Sequence, residues 1–388
     1  MLRVLNILYD ERIGGPQLRV LQVAKGLRER GVETIVVMPT GGTQFAEELA
    51  GCGIGYVQVP LPRPRAGLSL RPHLTYLAGF WPSVRRLRAI IRDERIDVVH
   101  NNGIMNWQGA IAARRERVPL VWHLNDVNAP RVLAAVGKVV LDRTASAVAV
   151  SAEAVAAHLF GRAAKHPWLP THVLYAPVET GRFAGVGADR KLNGHPRIGT
   201  VGNLNPWKGH RYLVEAISSV VARHPDARFF VVGAPLANRP RLQHDLERMA
   251  ARHGVADHIS FLGSRSDIPS FLAGLDIYVH PSLAEACPVA VLEAMAAEKP
   301  IVATDVGGTS ELVPDGVAAT LVPKADPEAL AQAINSLLDD PSTAASLAAE
   351  ARKRAVELFD VTLAVAAHER IYGQLAANGP RAAQRPTP

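Results

Sequence analysis

The chain has 388 residues, is 48% hydrophobic and carries a formal net charge of +7. That length exceeds one ordinary domain and points to two, each with enough apolar residues for its own core. Two distant cysteines, Cys52 and Cys287, argue against a disulfide framework or a cysteine-built zinc site, and fit a reducing compartment.

The opening MLRVLNILYD lacks the features of a signal peptide, and residues 3–8 read as a buried strand. Gly14-Gly15-Pro16 makes a turn. Residues 17–30 have helical spacing, with Leu18, Leu21, Val23, Ala24 and Leu27 on one face, and Gly31 ends the helix. Strands are predicted at 34–38, 55–59, 97–100, 120–123 and 147–150, with helices between them. The apolar stretch 132–160 carries Lys138, Asp142, Arg143 and Glu153, which a spanning helix does not hold without partners. A soluble, cytoplasmic protein is therefore expected. The pattern breaks over 177–196, which reads as an interdomain linker. It resumes with strands at 197–201, 228–232, 259–262, 277–280, 301–304 and 320–322. Helices are predicted at 209–223, 241–253, 268–273, 289–297, 327–338, 344–358 and 363–376.

This βαβα alternation implies two doubly wound parallel sheets covered on both faces. The expected division is 1–178, an N-terminal Rossmann-like acceptor domain, and 179–360, a C-terminal Rossmann-like donor domain. A helix at 361–377 is free to pack back on the first domain, and 378–388 is a disordered tail.

In such sheets ligands sit beyond the carboxyl ends of the strands, so the strand-to-helix turns are where chemistry is sought. VGNLNPWKGH, 201–210, presents Lys208 where a helix starts, an arrangement suited to a diphosphate and equally to a plain surface loop. In HPSLAEACPVAVLEAMAAEKP, 280–300, Pro288 suits the first helical position, Glu285 precedes the helix and Glu293 lies inside it. One carboxylate suits sugar hydroxyls and the other a ribose, although two glutamates eight apart are common. In ATDVGGTSELV, 303–313, paired glycines allow close backbone approach and Thr309 is placed to cap a helix from Ser310. In the first half, His123 ends an apolar strand in VWHLND, where a structural histidine is the commoner finding. Gly14-Gly15 is not a dinucleotide fingerprint, which disfavours a nicotinamide dehydrogenase.

The run EACPVAVLEAMAAEKPIVATDVGGTSELVPDG resembles the donor-site signature of retaining GT-B glycosyltransferases, the large family-four group, in which two glutamates are separated by seven residues. VGNLNPWKG resembles that family's phosphate loop, GGPQLRVLQVAKGLRERG its glycine loop and first helix, and VPLVWHLND its histidine-bearing strand. The resemblance implies a GT-B fold, with two domains facing across a cleft. It also implies roles. Lys208 would neutralise the leaving diphosphate, Glu293 hold the ribose, and Glu285 contact the donor sugar. Pro288, Val289, Gly308 and Thr309 would support sugar and phosphates. Gly15 would approach the diphosphate from the other domain, His123 contact the sugar's far hydroxyl, and Arg265 flank the base. The family usually has arginine where this chain has Asn203, which cannot supply a full charge. Arg265, Arg211 and Arg19 are the candidates to compensate.

No DxD sequence occurs, so no metal and no cofactor is expected beyond the nucleotide-sugar donor. The expected acceptor is a glycan, lipid-linked or small-molecule hydroxyl. Residues 76–95 place Phe80 and Trp81 among five arginines, which suits either a solvated face or peripheral contact with an anionic membrane. The positive charge attracts phosphates, but without zinc-finger spacing or an aromatic RNA-binding pattern a nucleic-acid partner is not expected. A nucleotide-sugar 2-epimerase of the same fold and a non-catalytic binding protein are the alternatives.

Overall fold

The computed structural model describes residues 1–10, 14–41, 43–64, 70–125, 130–161, 165–236 and 239–379, the side chains of 70–72 and 131 excepted. The expected disordered tail lies, from residue 380 on, outside the described residues. The chain divides into two compact units, Met1–Pro177 with Val361–Pro388, and Val178–Asp360.

The first unit alternates β1 (Leu2–Ile7), α1 (Gly15–Glu29), β2 (Val32–Pro39), α2 (Thr43–Gly51), β3 (Gly55–Val59), α3 (Leu70–Asp93), β4 (Val98–Asn102), α4 (Trp107–Arg115), β5 (Leu120–Leu124), α5 (Arg131–Thr144), β6 (Ala147–Val150), α6 (Glu153–Phe160) and β7 (Thr171–Val173). Its parallel sheet has the order β3-β2-β1-β4-β5-β6-β7. Strands β4, β5 and β6 are buried along their whole length, as expected for a parallel sheet covered by helices on both sides, although β4 and β5 also carry the buried polar residues His100, Asn101, Asn102 and His123. The three-residue edge strand β7 is too short to show a period, and no strand was expected there.

The second unit runs β8 (Arg197–Val201), α7 (His210–Arg223), β9 (Arg228–Val232), α8 (Leu242–Arg252), β10 (Ile259–Phe261), α9 (Ile268–Ala273), β11 (Ile277–His280), α10 (Val289–Ala296), β12 (Ile301–Thr304), α11 (Thr309–Leu312), β13 (Thr320–Val322), α12 (Pro327–Asp339) and α13 (Pro341–Leu358). Its parallel sheet is ordered β10-β9-β8-β11-β12-β13. Ile198, Phe229, Val231, Ile277, Val279 and Val302 form its core with the apolar faces of α7, α8 and α12.

A last helix, α14 (Val361–Asn378), belongs to the first unit. Its Val365, Ile371 and Tyr372 are buried against Val4, Val23, Leu27 and Val98.

The segment 177–196, expected as an interdomain linker, holds the division between the units at Pro177 and Val178 and is anchored on the second unit. Val178 donates its N–H to the Phe359 carbonyl at 2.9 Å, and Thr180–Phe183 forms a 3-10 turn. Asp189 and Leu192 are buried, and Asp189 holds Arg265 at 2.7 Å. The glycines shape the path while a few buried side chains anchor it. Composition hides anchors of that kind.

Candidate active site

In a doubly wound sheet the loops leaving the two central strands diverge where the strand order reverses, and open a crevice. In the second unit those strands are β8 and β11. After β8, the Asn205 side chain accepts from the Trp207 N–H at 2.8 Å and starts a 3-10 turn, Pro206–Lys208. Gly209 ends the turn at φ +67, where a Cβ would lie 1.8 Å from the Pro281 carbonyl oxygen. Only glycine lets the two loops touch there. The Leu283 N–H then donates to the Trp207 carbonyl at 2.7 Å and ties the loops together.

The outcome is a four-residue chain of contacts. Lys208 Nζ lies 2.6 Å from Glu285 Oε1. His280 Nε2 lies 3.0 Å from the same oxygen, and the Tyr278 hydroxyl 3.3 Å from His280 Nδ1. Burial favours the protonated Glu285 carboxyl, but the Lys208 ammonium and His280 outweigh it and hold it well below the usual carboxylate range. Burial lowers His280, with Glu285 opposing in part. It also pushes His210, the first residue of α7, down to about 3, with the Lys208 and His280 charges adding.

Glu293, in the second turn of α10, meets a different environment. Burial pushes its carboxyl up to about 7, and Arg182 opposes only in part. One glutamate is thus firmly ionised and the other is poised near neutrality, a separation typical of functional carboxylate pairs.

Several expectations need correction. Pro288 is the N-cap of α10, one place before the first helical residue. It has no N–H, so the positive end of this helix rests on the amides of Val289 and Ala290. Thr309 does not cap a helix from Ser310. It is itself the first residue of α11, with Gly308 as N-cap, and its Oγ1 is buried with no hydrogen-bond partner in the protein. The Gly308 and Thr309 amides, expected to meet phosphates, already donate to Ala286 and Val306 carbonyls at 3.2 and 3.1 Å. The turn is packed on the Glu285 loop, and its own backbone uses those donors.

Arg265 is not a free cation. Asp189 at 2.7 Å and Asp267 at 2.6 Å hold its guanidinium, which lies over the Phe271 ring. Arg211 pairs with Glu215 at 3.0 Å on the surface of α7. Asn203 is exposed in the β8 loop. Lys208 is therefore the cation that the second unit brings to Glu285.

Gly15 and His123 lie in the first unit. Gly15 opens α1 after an extended Gly14. His123 is fully buried, with Nε2 2.6 Å from Arg19 and Nδ1 3.0 Å from His100 Nε2. His100 Nδ1 is 2.7 Å from the Tyr372 hydroxyl on α14. A sugar hydroxyl reaches His123 only by displacing a partner. Nitrogens of His100, His123 and His368 lie within 4.8 Å of one another. The Arg19 charge beside them disfavours a further cation, and burial followed by Arg19 lowers His123 well below its ordinary value. The group reads as a polar core.

Sequence reasoning did not single out Tyr278, His280 or His210. The available signal was the position of His280 at the carboxyl end of a central strand.

The model for group 1 glycosyl transferases matches residues 195–340, and that for a glycosyl transferase 4-like domain matches residues 14–174. The D-inositol 3-phosphate glycosyltransferase of Stackebrandtia nassauensis is 31% identical over 372 residues, covering 87% of this chain and 82% of that protein. The chain belongs to the group 1, family-four glycosyltransferases. The lipopolysaccharide core biosynthesis mannosyltransferase LpsB of Rhizobium meliloti, a further similar glycosyltransferase, is 29% identical over 224 residues. That match covers 55% of this chain and 64% of LpsB, so this chain spans less than two thirds of that relative. Among solved structures, Anabaena Alr3699/HepE in complex with UDP and glucose superposes with a TM-score of 0.82 at 25% identity, covering 96% of this chain and all of that one. The two parallel-sheet units of this chain are thus those of the GT-B fold. Among the described residues, no helix is long and apolar enough to cross a membrane.

Proposed function

We propose that the chain is a retaining hexosyltransferase that takes its sugar from a nucleoside diphosphate donor, without a metal ion, and delivers it to a hydroxyl of a glycan, lipid-linked or small-molecule acceptor. The proposed donor site is confined to the second unit. The carrying observation is the meeting of Lys208 and Glu285 at the strand-order reversal, 2.6 Å apart, beside the opening of α10. The names of relatives support the reading. HepE is described with UDP and with UDP-glucose, and others are named for mannosyl transfer or for D-inositol 3-phosphate.

In this reading Lys208 and the α10 amides receive charge as it develops on the departing diphosphate. Asn203 lines the phosphate loop without adding charge. Glu293 accepts from ribose hydroxyls and Glu285 from hydroxyls of the donor sugar. The leaving phosphate oxygen takes the acceptor's proton on the same face, so the anomeric configuration is kept and no side chain is assigned as general base.

A thermal-shift panel of UDP, GDP and ADP tests the site. One nucleotide should raise the melting temperature, and Lys208→Ala and Glu293→Ala should each lower its affinity by about tenfold or more. An unchanged shift in both variants removes the site. Turnover that survives a strong chelator supports metal independence, and the anomeric coupling of the product tests retention. Formation of the donor's 2-epimer in the absence of acceptor would point instead to an epimerase.

Peripheral contact with an anionic membrane completes the proposal. Leu74, Leu77 and Trp81 are exposed at helical spacing on α3, followed by exposed Arg85 and Arg86, and Arg115 lies over the Trp81 ring. An apolar stripe beside cations suits an anionic lipid surface. Sedimentation with phosphatidylglycerol vesicles but not phosphatidylcholine vesicles is expected. No pelleting with either ends the idea.

A further inference from the structure

Tyr278 and His280 are two residues apart on β11, so their side chains share one face of the sheet. Their rings are tilted by only 23°, with centroids 6.3 Å apart, and both residues are fully buried. Chemistry fixes the direction of the hydrogen bonds. An ionised Glu285 only accepts, so His280 Nε2 carries a proton and donates to it at 3.0 Å. The neutral ring then offers Nδ1 as an acceptor, and the Tyr278 hydroxyl donates to it at 3.3 Å.

Glu285 Oε1 therefore has two donors of different kinds. Lys208 is a charged group on a flexible stem, with 27% of its side chain exposed. His280 is 2% exposed and fixed by Tyr278. A diphosphate competes for the lysine but not for the histidine. If Glu285 had Lys208 alone, every donor that engaged the lysine would strand a buried carboxylate. The other titratable groups around this cluster are His210 at the start of α7 and Glu293 on α10.

We infer that His280, backed by Tyr278, is a positioning residue that holds the Glu285 carboxylate in place when Lys208 turns to the donor's diphosphate. Lys208 is the exchangeable partner and His280 the permanent one. The inference rests on the proposed donor site.

The test replaces the departure of Lys208 with its removal, and needs no donor. Protein labelled with 13C at the glutamate carboxyls is titrated by NMR, with Glu285 assigned by Glu285→Gln. In Lys208→Met, Glu285 should remain ionised at pH 7. In the double variant Lys208→Met/His280→Leu, its midpoint should climb above about 6, as for a buried carboxyl without a donor. Lys208→Met/His280→Gln should return it towards the single variant, because the glutamine amide can still donate. Tyr278→Phe in the Lys208→Met background should give an intermediate midpoint. Protonation of Glu285 at pH 7 in Lys208→Met alone overturns the inference, and so does a double variant with leucine that titrates like the single one. UDP binding by the wild type is read separately. Its absence would count against the donor site while leaving the carboxyl titration to decide the role of His280.

Discussion

Glu293 carries the clearest pH signature of any residue in the site. Its carboxyl is raised from 4.5 to about 7 by burial, so the folded protein binds this proton more tightly than the unfolded chain. The stability gained from that proton is complete below about pH 4.5 and is lost as the pH rises through about 7. Donor binding has the opposite sign, because ribose hydroxyls donate to the ionised form. Lowering the pH from 7.5 to 6 should weaken UDP binding by roughly eightfold through this group, since the ionised fraction falls by that factor. Calorimetry on the wild type and on Glu293→Gln separates this from titration of the phosphate. The two slopes should differ, and identical slopes would remove Glu293 from the ribose. Glu293 and Glu285 were legible in the sequence because the family spacing marks both. Their opposite electrostatic states were not, since these depend on Lys208 and His280 near one carboxylate and on burial around the other. Those neighbours sit 77 and 5 residues from Glu285, and no periodicity connects them.

The loops of the second unit hold one another by backbone contact, and two of the glycines that make this possible serve Lys208 and Glu285. Gly209 against Pro281 brings Lys208 to the site, and Gly307 seats the β12–α11 turn on the Glu285 loop. At Gly307 φ is +55, and a Cβ would fall 1.7 Å from the Glu285 carbonyl oxygen. Gly307→Ala should therefore push the two loops apart, with a cost of roughly 1–3 kcal/mol from the backbone conformation before the clash is counted. A fall of several degrees in the melting temperature is expected, together with loss of nucleotide binding. A variant that binds UDP as well as the wild type would show that the loops are not rigidly coupled. At this scale the strands and helices were readable from alternation and periodicity. Which amides are already used was not. The sequence does not show that the Gly308 and Thr309 amides donate to the Ala286 and Val306 carbonyls. Arg265 likewise reads as a free cation until Asp189, 76 residues earlier, is seen to hold it.

The chain leaves the first unit at Pro177, builds the second, and re-enters the first at Val361. The core of the first unit is therefore completed only by the last segment of the sequence. Val365, Ile371 and Tyr372 are buried in it, and Gly26 on α1 lets Val365 approach so closely that a Cβ there would lie 2.5 Å from its side chain. At about 1.5–3 kcal/mol for each large apolar side chain, these three residues contribute on the order of a whole domain's net stability. Tyr372 also accepts from the buried His100 ring, whose Nδ1 would otherwise be stranded. Deleting residues 361–388 should therefore unfold the first unit and leave the second largely intact, although the cut lies next to the second in sequence. Fluorescence distinguishes the units, because Trp81, Trp107, Trp122 and Trp168 lie in the first and Trp207 in the second. In the truncated chain, emission from Trp122, fully buried in the first unit, should already be red-shifted without denaturant, while circular dichroism keeps a cooperative urea transition from the second unit. A truncated chain with native tryptophan emission would mean that the first unit closes its core without α14, contrary to the burial of Val365, Ile371 and Tyr372.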